Sequence, residues 1–183
     1  MQPVEAIPIF PSRDISAIPF TPLDGRKAAL LVLGAAACFQ AAYSTPLALL
    51  ILGYVACLLQ LARLRTTRLA FYFGLVAGLL CFAPQLEFFW RIFGVASLTL
   101  WAILAFWIAL FTAIMHVALI RFGAFRAAML APFLWTGFEY FRSELYYLRF
   151  SWLNVGYALS GAPVPFNTFG VYGLVSSRSF WRL

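Results

Sequence analysis

A chain of 183 residues that is 64% hydrophobic, 19% aromatic and only 10% charged is not an ordinary water-soluble domain, because globular domains are nearer half apolar and a quarter charged. With a mean hydropathy of +0.90, its natural solvent is lipid. The formal charge of +7 is held in short clusters between apolar runs, which is the layout of topology determinants and not of a nucleic-acid-binding face.

Residues 1–27 differ in kind from the remainder of the chain. Pro3, Pro8, Pro11, Pro19 and Pro22 oppose helix formation, and Arg13, Asp14, Asp24 and Arg26 are polar. The segment reads as a flexible cytoplasmic tail. It is not a typical cleaved signal peptide, since the basic-then-apolar order begins only at Arg26 and Lys27.

Five apolar runs come next, at 28–43, 47–62, 69–86, 95–120 and 127–141. At about 1.5 Å per residue against about 30 Å of hydrocarbon, the fourth spans with length to spare, whereas the first, second and fifth need interfacial residues to complete a crossing. Gly74 and Gly78 form a small-xxx-small pair in the third run, read as close packing within the bundle, with dimerisation the weaker option. A last run, 166–175, is too short to cross, and the chain is expected to end in a truncated sixth helix, 166–183. The predicted fold is all-α: a polytopic transmembrane helical bundle with about five complete spans plus that truncated sixth.

Lys and Arg set the orientation. With the N-terminus cytoplasmic, inner segments hold Arg13, Arg26, Lys27, Arg63, Arg65, Arg68, Arg121 and Arg126, and outer ones hold Arg91, Arg142 and Arg149. That bias favours an inside N-terminus. Residues 28–141 are then the helices, and residues 142–165 an outward-facing, periplasmic loop.

The remaining polar residues have modest readings. Cys38, Cys57 and Cys81 each lie inside an apolar run and read as small buried hydrophobes. No metal-ligand spacing is present, and no cofactor is implied. His116 lies near the predicted inner end of its helix and reads as a packed or interfacial histidine. Glu87 and Arg91, at i and i+4, read as a solvated ion pair.

One stretch stands apart. "LWTGFEYFRSELYYLRFSWLNVGY", residues 134–157, sets Glu139, Arg142, Glu144 and Arg149 among nine aromatic side chains. Trp135, Tyr140, Tyr146, Tyr147 and Trp152 suit an interfacial belt, and Arg snorkels to the headgroups. Glu139 lies inside the apolar run, and an ionisable group there marks function by default. Glu139 and Arg142, at i and i+3, can pair on one helical face.

Residues 131–173, "APFLWTGFEYFRSELYYLRFSWLNVGYALSGAPVPFNTFGVYG", resemble the apolipoprotein N-acyltransferase family. Pro132, Trp135, Glu139 and Arg142 match its helix; Phe150, Trp152, Gly156 and Tyr157 match its loop; Pro163, Gly170 and Gly173 match the start of the next helix. Ser151 stands where many members have Pro. The resemblance implies a bundle in the bacterial inner membrane, joined to an outward-facing nitrilase-like domain. That domain's Cys-Glu-Lys triad would take an acyl chain from phospholipid as a thioester. It would then pass the chain to the diacylglyceryl-cysteine of a lipoprotein. Phospholipid and lipoprotein are the implied partners.

The triad is expected beyond residue 183, since the single lysine is Lys27 and the three cysteines lie in apolar runs. The chain is thus read as a fragment carrying the membrane platform, inactive alone. By matching position, Trp152, Asn154 and Tyr157 are candidates to face lipid substrate, while Trp135, Glu139 and Arg142 hold the helix end that positions the loop. A non-catalytic anchor or lipid-binding accessory protein is the alternative. A transporter is less favoured, because polar groups inside the helices are only scattered Thr, Gln and His.

Overall fold

The computed structural model describes residues 21–44, 47, 49–145, 153 and 155. Among these, all regular structure is helical: α1 Gly25–Ser44, α2 Leu50–Leu61, α3 Thr67–Gln85, α4 Phe88–Phe93 and α5 Ala96–Tyr140, followed by a π-helical turn Phe141–Leu145.

Each helix buries one stripe. In α1 the inward residues are Ala28, Val32, Ala35, Phe39 and Ala42, the alternating three- and four-residue spacing of a single helical face. In α2 they are Ile51, Tyr54, Leu58 and Leu61. The opposite faces are also apolar: Leu30, Leu33, Tyr72, Phe125 and Phe133 are all at least half exposed. A helix apolar all round belongs in lipid. Three segments, Gly25–Ser44, Thr67–Gln85 and Ala96–Leu145, are long and apolar enough to cross a membrane.

That count differs from the five spans expected. The second run yields a helix of only 12 residues, about 18 Å long. The fourth and fifth runs lie within one 45-residue element, α5, which is broken at Gly123 (φ 80°, ψ 171°). A straight helix would hold Trp107 and Phe138 about 45 Å apart. Their ring centroids are 5.8 Å apart, and those of Phe111 and Trp135 are 4.8 Å apart. Both pairs are nearly symmetric about Gly123, so α5 is a helical hairpin whose arms, 96–122 and 124–140, run antiparallel. The left-handed φ at the break is one glycine accepts without the Cβ penalty.

Other boundaries also move. The first helix takes in Arg26 and Lys27, starting where Ala28 N–H donates to Asp24 C=O at 2.9 Å. Residues 142–145, expected in the outer loop, are still helical, and Arg142 and Ser143 are buried. The short α4, ended by Gly94 at φ 53°, had no separate signal within its apolar surroundings. The expected sixth helix, 166–183, lies outside the described residues.

Small residues set the helix spacing. The glycine pair of α3 faces α5: a Cβ on Gly78 would come within 2.7 Å of the Ala105 Cα, and one on Gly74 within 3.0 Å of the Ala109 Cα. Thr112 Oγ1 donates across this seam to Ala70 C=O at 2.9 Å. The reading of Gly74 and Gly78 as intramolecular packing matches this geometry. Between α1 and α2, Cys57 lies over Gly34 and Cys38 over Gly53, so these two thiols serve as small packing groups.

Two polar ties complete the bundle. Pro84 has no N–H, so Leu80 C=O lacks its helical donor. Gln40 Nε2 on α1 donates to Leu80 C=O at 3.1 Å and to Cys81 C=O at 3.0 Å, while Gln85 Nε2 donates to Gln40 Oε1 at 2.6 Å. His116 is buried with Nδ1 2.9 Å from Ala62 C=O, which places the proton on Nδ1. It joins α5 to the end of α2, as a packed histidine. Glu87 and Arg91 form the exposed i, i+4 pair expected of them, at 3.9 Å.

Candidate functional site

The aromatic residues of the bundle converge at one level. Phe39 of α1 packs edge-on against Tyr54 of α2 at 5.0 Å and against Phe82 of α3 at 5.5 Å. Trp135, on the second arm of α5, packs edge-on against Tyr54 at 5.9 Å and against Phe111 of the first arm at 4.8 Å. Every long helix thus contributes a ring to one cluster. Edge-to-face pairs of this kind add roughly 0.5–1.5 kcal/mol each beyond area burial. The cluster fixes how the helices meet beneath the end of the second arm.

That end carries the charged residues. Glu139 and Arg142 are each 5% exposed, and both line a cavity with Phe39, Tyr54, Phe111 and Trp135. The cavity has about 20 Å³ of space for water, enough for roughly one molecule. Among the described residues, Tyr54 Oη, Trp135 Nε1 and Glu139 Oε2 are buried with no hydrogen bond of good geometry.

The other carboxylate oxygen has a different partner. Val155 N–H donates to Glu139 Oε1 at 2.7 Å, and the bond is buried. It ties the helix to backbone 16 residues further on. Leu153 and Val155 complete the same cavity wall, and Leu153 adopts a left-handed φ of 56°. A non-glycine residue rarely holds that conformation unless its surroundings impose it. The carboxylate therefore works as a clamp on the returning chain.

The structure thus gathers Trp135, Glu139 and Arg142, and it buries all three. Trp152, Asn154 and Tyr157 lie outside the described residues. Sequence reading missed Tyr54, Phe39, Phe82 and Phe111 as walls of this site. Only Tyr54 carried a signal, a hydroxyl within an otherwise apolar run, since a buried tyrosine usually seeks a polar partner.

The lysine and the thiols do not meet. Lys27 is exposed in the first turn of α1. Cys38 is 11 residues along the same helix, about 16 Å away, and Cys81 is buried in α3 beyond Gly78.

A family profile for the apolipoprotein N-acyltransferase N-terminal domain matches residues 28–177. No curated protein and no solved structure gives a match. The match runs through all five helices, the aromatic cluster and the Glu139 clamp, and on this ground the chain belongs to the family of the apolipoprotein N-acyltransferase N-terminal domain.

Proposed function

We propose that this chain is the membrane platform of an N-acyltransferase that completes lipoprotein maturation in the bacterial inner membrane. In the reaction the family implies, a cysteine thiolate attacks a phospholipid ester carbonyl. The lysophospholipid leaves with a proton, and a thioester remains. The α-amine of a diacylglyceryl-cysteine then attacks the thioester, forming an amide and returning the thiol. The Cys-Glu-Lys triad belongs to a nitrilase-like domain, and this chain's own Lys27 and cysteines do not form one.

The platform's task is to hold the outward-facing part of residues 142–165 at the outer surface, where Trp152, Asn154 and Tyr157 meet lipid. The observation that carries this reading is the 2.7 Å bond from Val155 N–H to Glu139 Oε1. It anchors that loop one residue from Asn154 and three from Trp152. The proposed topology has five membrane passages, with the N-terminus cytoplasmic. The α5 hairpin supplies two of the passages, and α2 makes a short one.

The test joins residues 1–175 to the nitrilase-like domain of a related enzyme and changes Trp152→Ala. An indole offers a broad apolar face and one N–H donor to an acyl chain or headgroup. Thioester formation and lipopeptide acylation, each per folded molecule, should both fall, and the ungrafted chain should transfer nothing. An unchanged rate per folded molecule with lower thermal stability would reduce Trp152 to an interfacial anchor. Turnover by the ungrafted chain would contradict the placement of the triad.

A further inference from the structure

A second surface lies along the outer faces of α1 and α3. α1 and α3 run parallel, since α2 returns the chain between them and Gln40 near the end of α1 meets Leu80 near the end of α3. Their exposed faces leave an apolar groove of about 350 Å³. Val32 and Leu33 form one wall, Phe73, Val76 and Leu80 the other, and Ala29 and Tyr72 close its lower end. Leu33 is 59% exposed and Tyr72 60%, so the described chain does not cover the groove.

Cations stand at the lower end. Arg26 precedes Ala29 by three residues and Arg68 precedes Tyr72 by four, so each lies one turn below the groove on the same helical face. Both are exposed, as are Lys27 and Arg65. Leu23 N–H donates to Arg63 C=O at 3.1 Å, which holds the start of α1 against the α2–α3 turn and keeps the cations at one level. Asp24 is the one carboxylate beside them among the described residues. The positive ends of both helix dipoles point the same way.

We propose that this groove binds an anionic glycerophospholipid of the leaflet at that end, with an acyl chain between α1 and α3 and the phosphate at Arg26 and Arg68. Charge complementarity selects this occupant. A groove without charge at its mouth holds any lipid alike, whereas basic residues at the mouth of an interhelical pocket select anionic headgroups. The cationic mouth lies at the opposite end of α1 and α3 from the Glu139 clamp, and the site is independent of the acyl-transfer reading.

The test is native mass spectrometry of the chain in detergent, titrated with dioleoyl phosphatidylglycerol and dioleoyl phosphatidylcholine. Each cation near a surface favours an anionic lipid by about fivefold. The chain should retain one phosphatidylglycerol with a preference of at least about tenfold, and the double variant Arg26→Gln/Arg68→Gln should bring it close to parity. Val76→Trp, which fills the groove and leaves the charges in place, should lower retention of both lipids. Unchanged thermal transitions would show that both variants fold. Equal retention of the two lipids by the parent chain, or a preference that survives the double variant, would overturn the proposal. So would a dimer that binds no lipid, which assigns the groove to a second copy. Binding that appears only on removal of residues 1–20 assigns it to the chain's own tail and overturns it equally.

Discussion

Replacing Gly78 by alanine offers the sharpest test of how α3 meets α5. On an isolated helix the change stabilises by about 1 kcal/mol, since alanine is the better helix former. Here the new Cβ would come within 2.7 Å of the Ala105 Cα and 3.1 Å of the Ala105 carbonyl oxygen. Carbon atoms rest at about 3.5–4.0 Å, so the helices must part by about 1 Å locally. The obstacle is backbone and cannot turn aside, which places the strain near the top of the roughly 1–3 kcal/mol range for overpacking. After the helix-propensity gain, the net loss is about 2 kcal/mol. Gly137 is the control: it is helical, and a Cβ there meets nothing within 4 Å. Gly137→Ala should raise stability by about 0.5–1 kcal/mol. Both variants are measured by reversible unfolding in mixed micelles with increasing sodium dodecyl sulfate, followed by tryptophan fluorescence. If Gly78→Ala stabilises as much as Gly137→Ala, the close approach of α3 and α5 is wrong.

The other expectations use the same unfolding measurement or simple labelling. Gln40→Leu leaves the Leu80 carbonyl above Pro84 without its donor and should cost about 1–2 kcal/mol; no loss would deny the interhelical tie. Glu139→Gln and Arg142→Gln should be non-additive by about 1 kcal/mol, because both side chains are buried on one cavity, and a double variant equal to the sum of the singles would rule out electrostatic coupling between them. Glu139→Ala should speed hydrogen exchange at the Val155 amide by about tenfold or more, and an unchanged rate would mean that the clamp does not restrain the loop. For topology, a cysteine at Ser160 should be labelled from the periplasmic side. Ser143 is buried and does not suit that purpose, and cytoplasmic labelling at position 160 would invert the orientation.

Composition alone determined the solvent. So many apolar side chains cannot be hidden within 183 residues, and the structure leaves Leu30, Leu33 and Tyr72 facing outward. The glycine pair of α3 was legible because two small residues one turn apart leave a flat face that invites another backbone. Glu139 and Arg142 were legible because charge in an apolar run is costly and therefore conspicuous.

Partner choice was not legible, because it depends on pairs distant in the chain. Nothing local says that Gln40 serves the carbonyl freed by Pro84, since its effect appears only when α1 lies beside α3. The helical hairpin shows the same limit. Two apolar runs were visible in the sequence, but the break at Gly123 and the contact of Phe111 with Trp135 come from how the arms pack. Tyr54 and Phe39 look like any aromatic residues of an apolar helix until five segments bring their rings to one level. The charged stretch announced a site by its composition, while tertiary structure alone decided which oxygen of Glu139 holds Val155, because a hydrogen bond across 16 residues is a property of the folded path and not of either end.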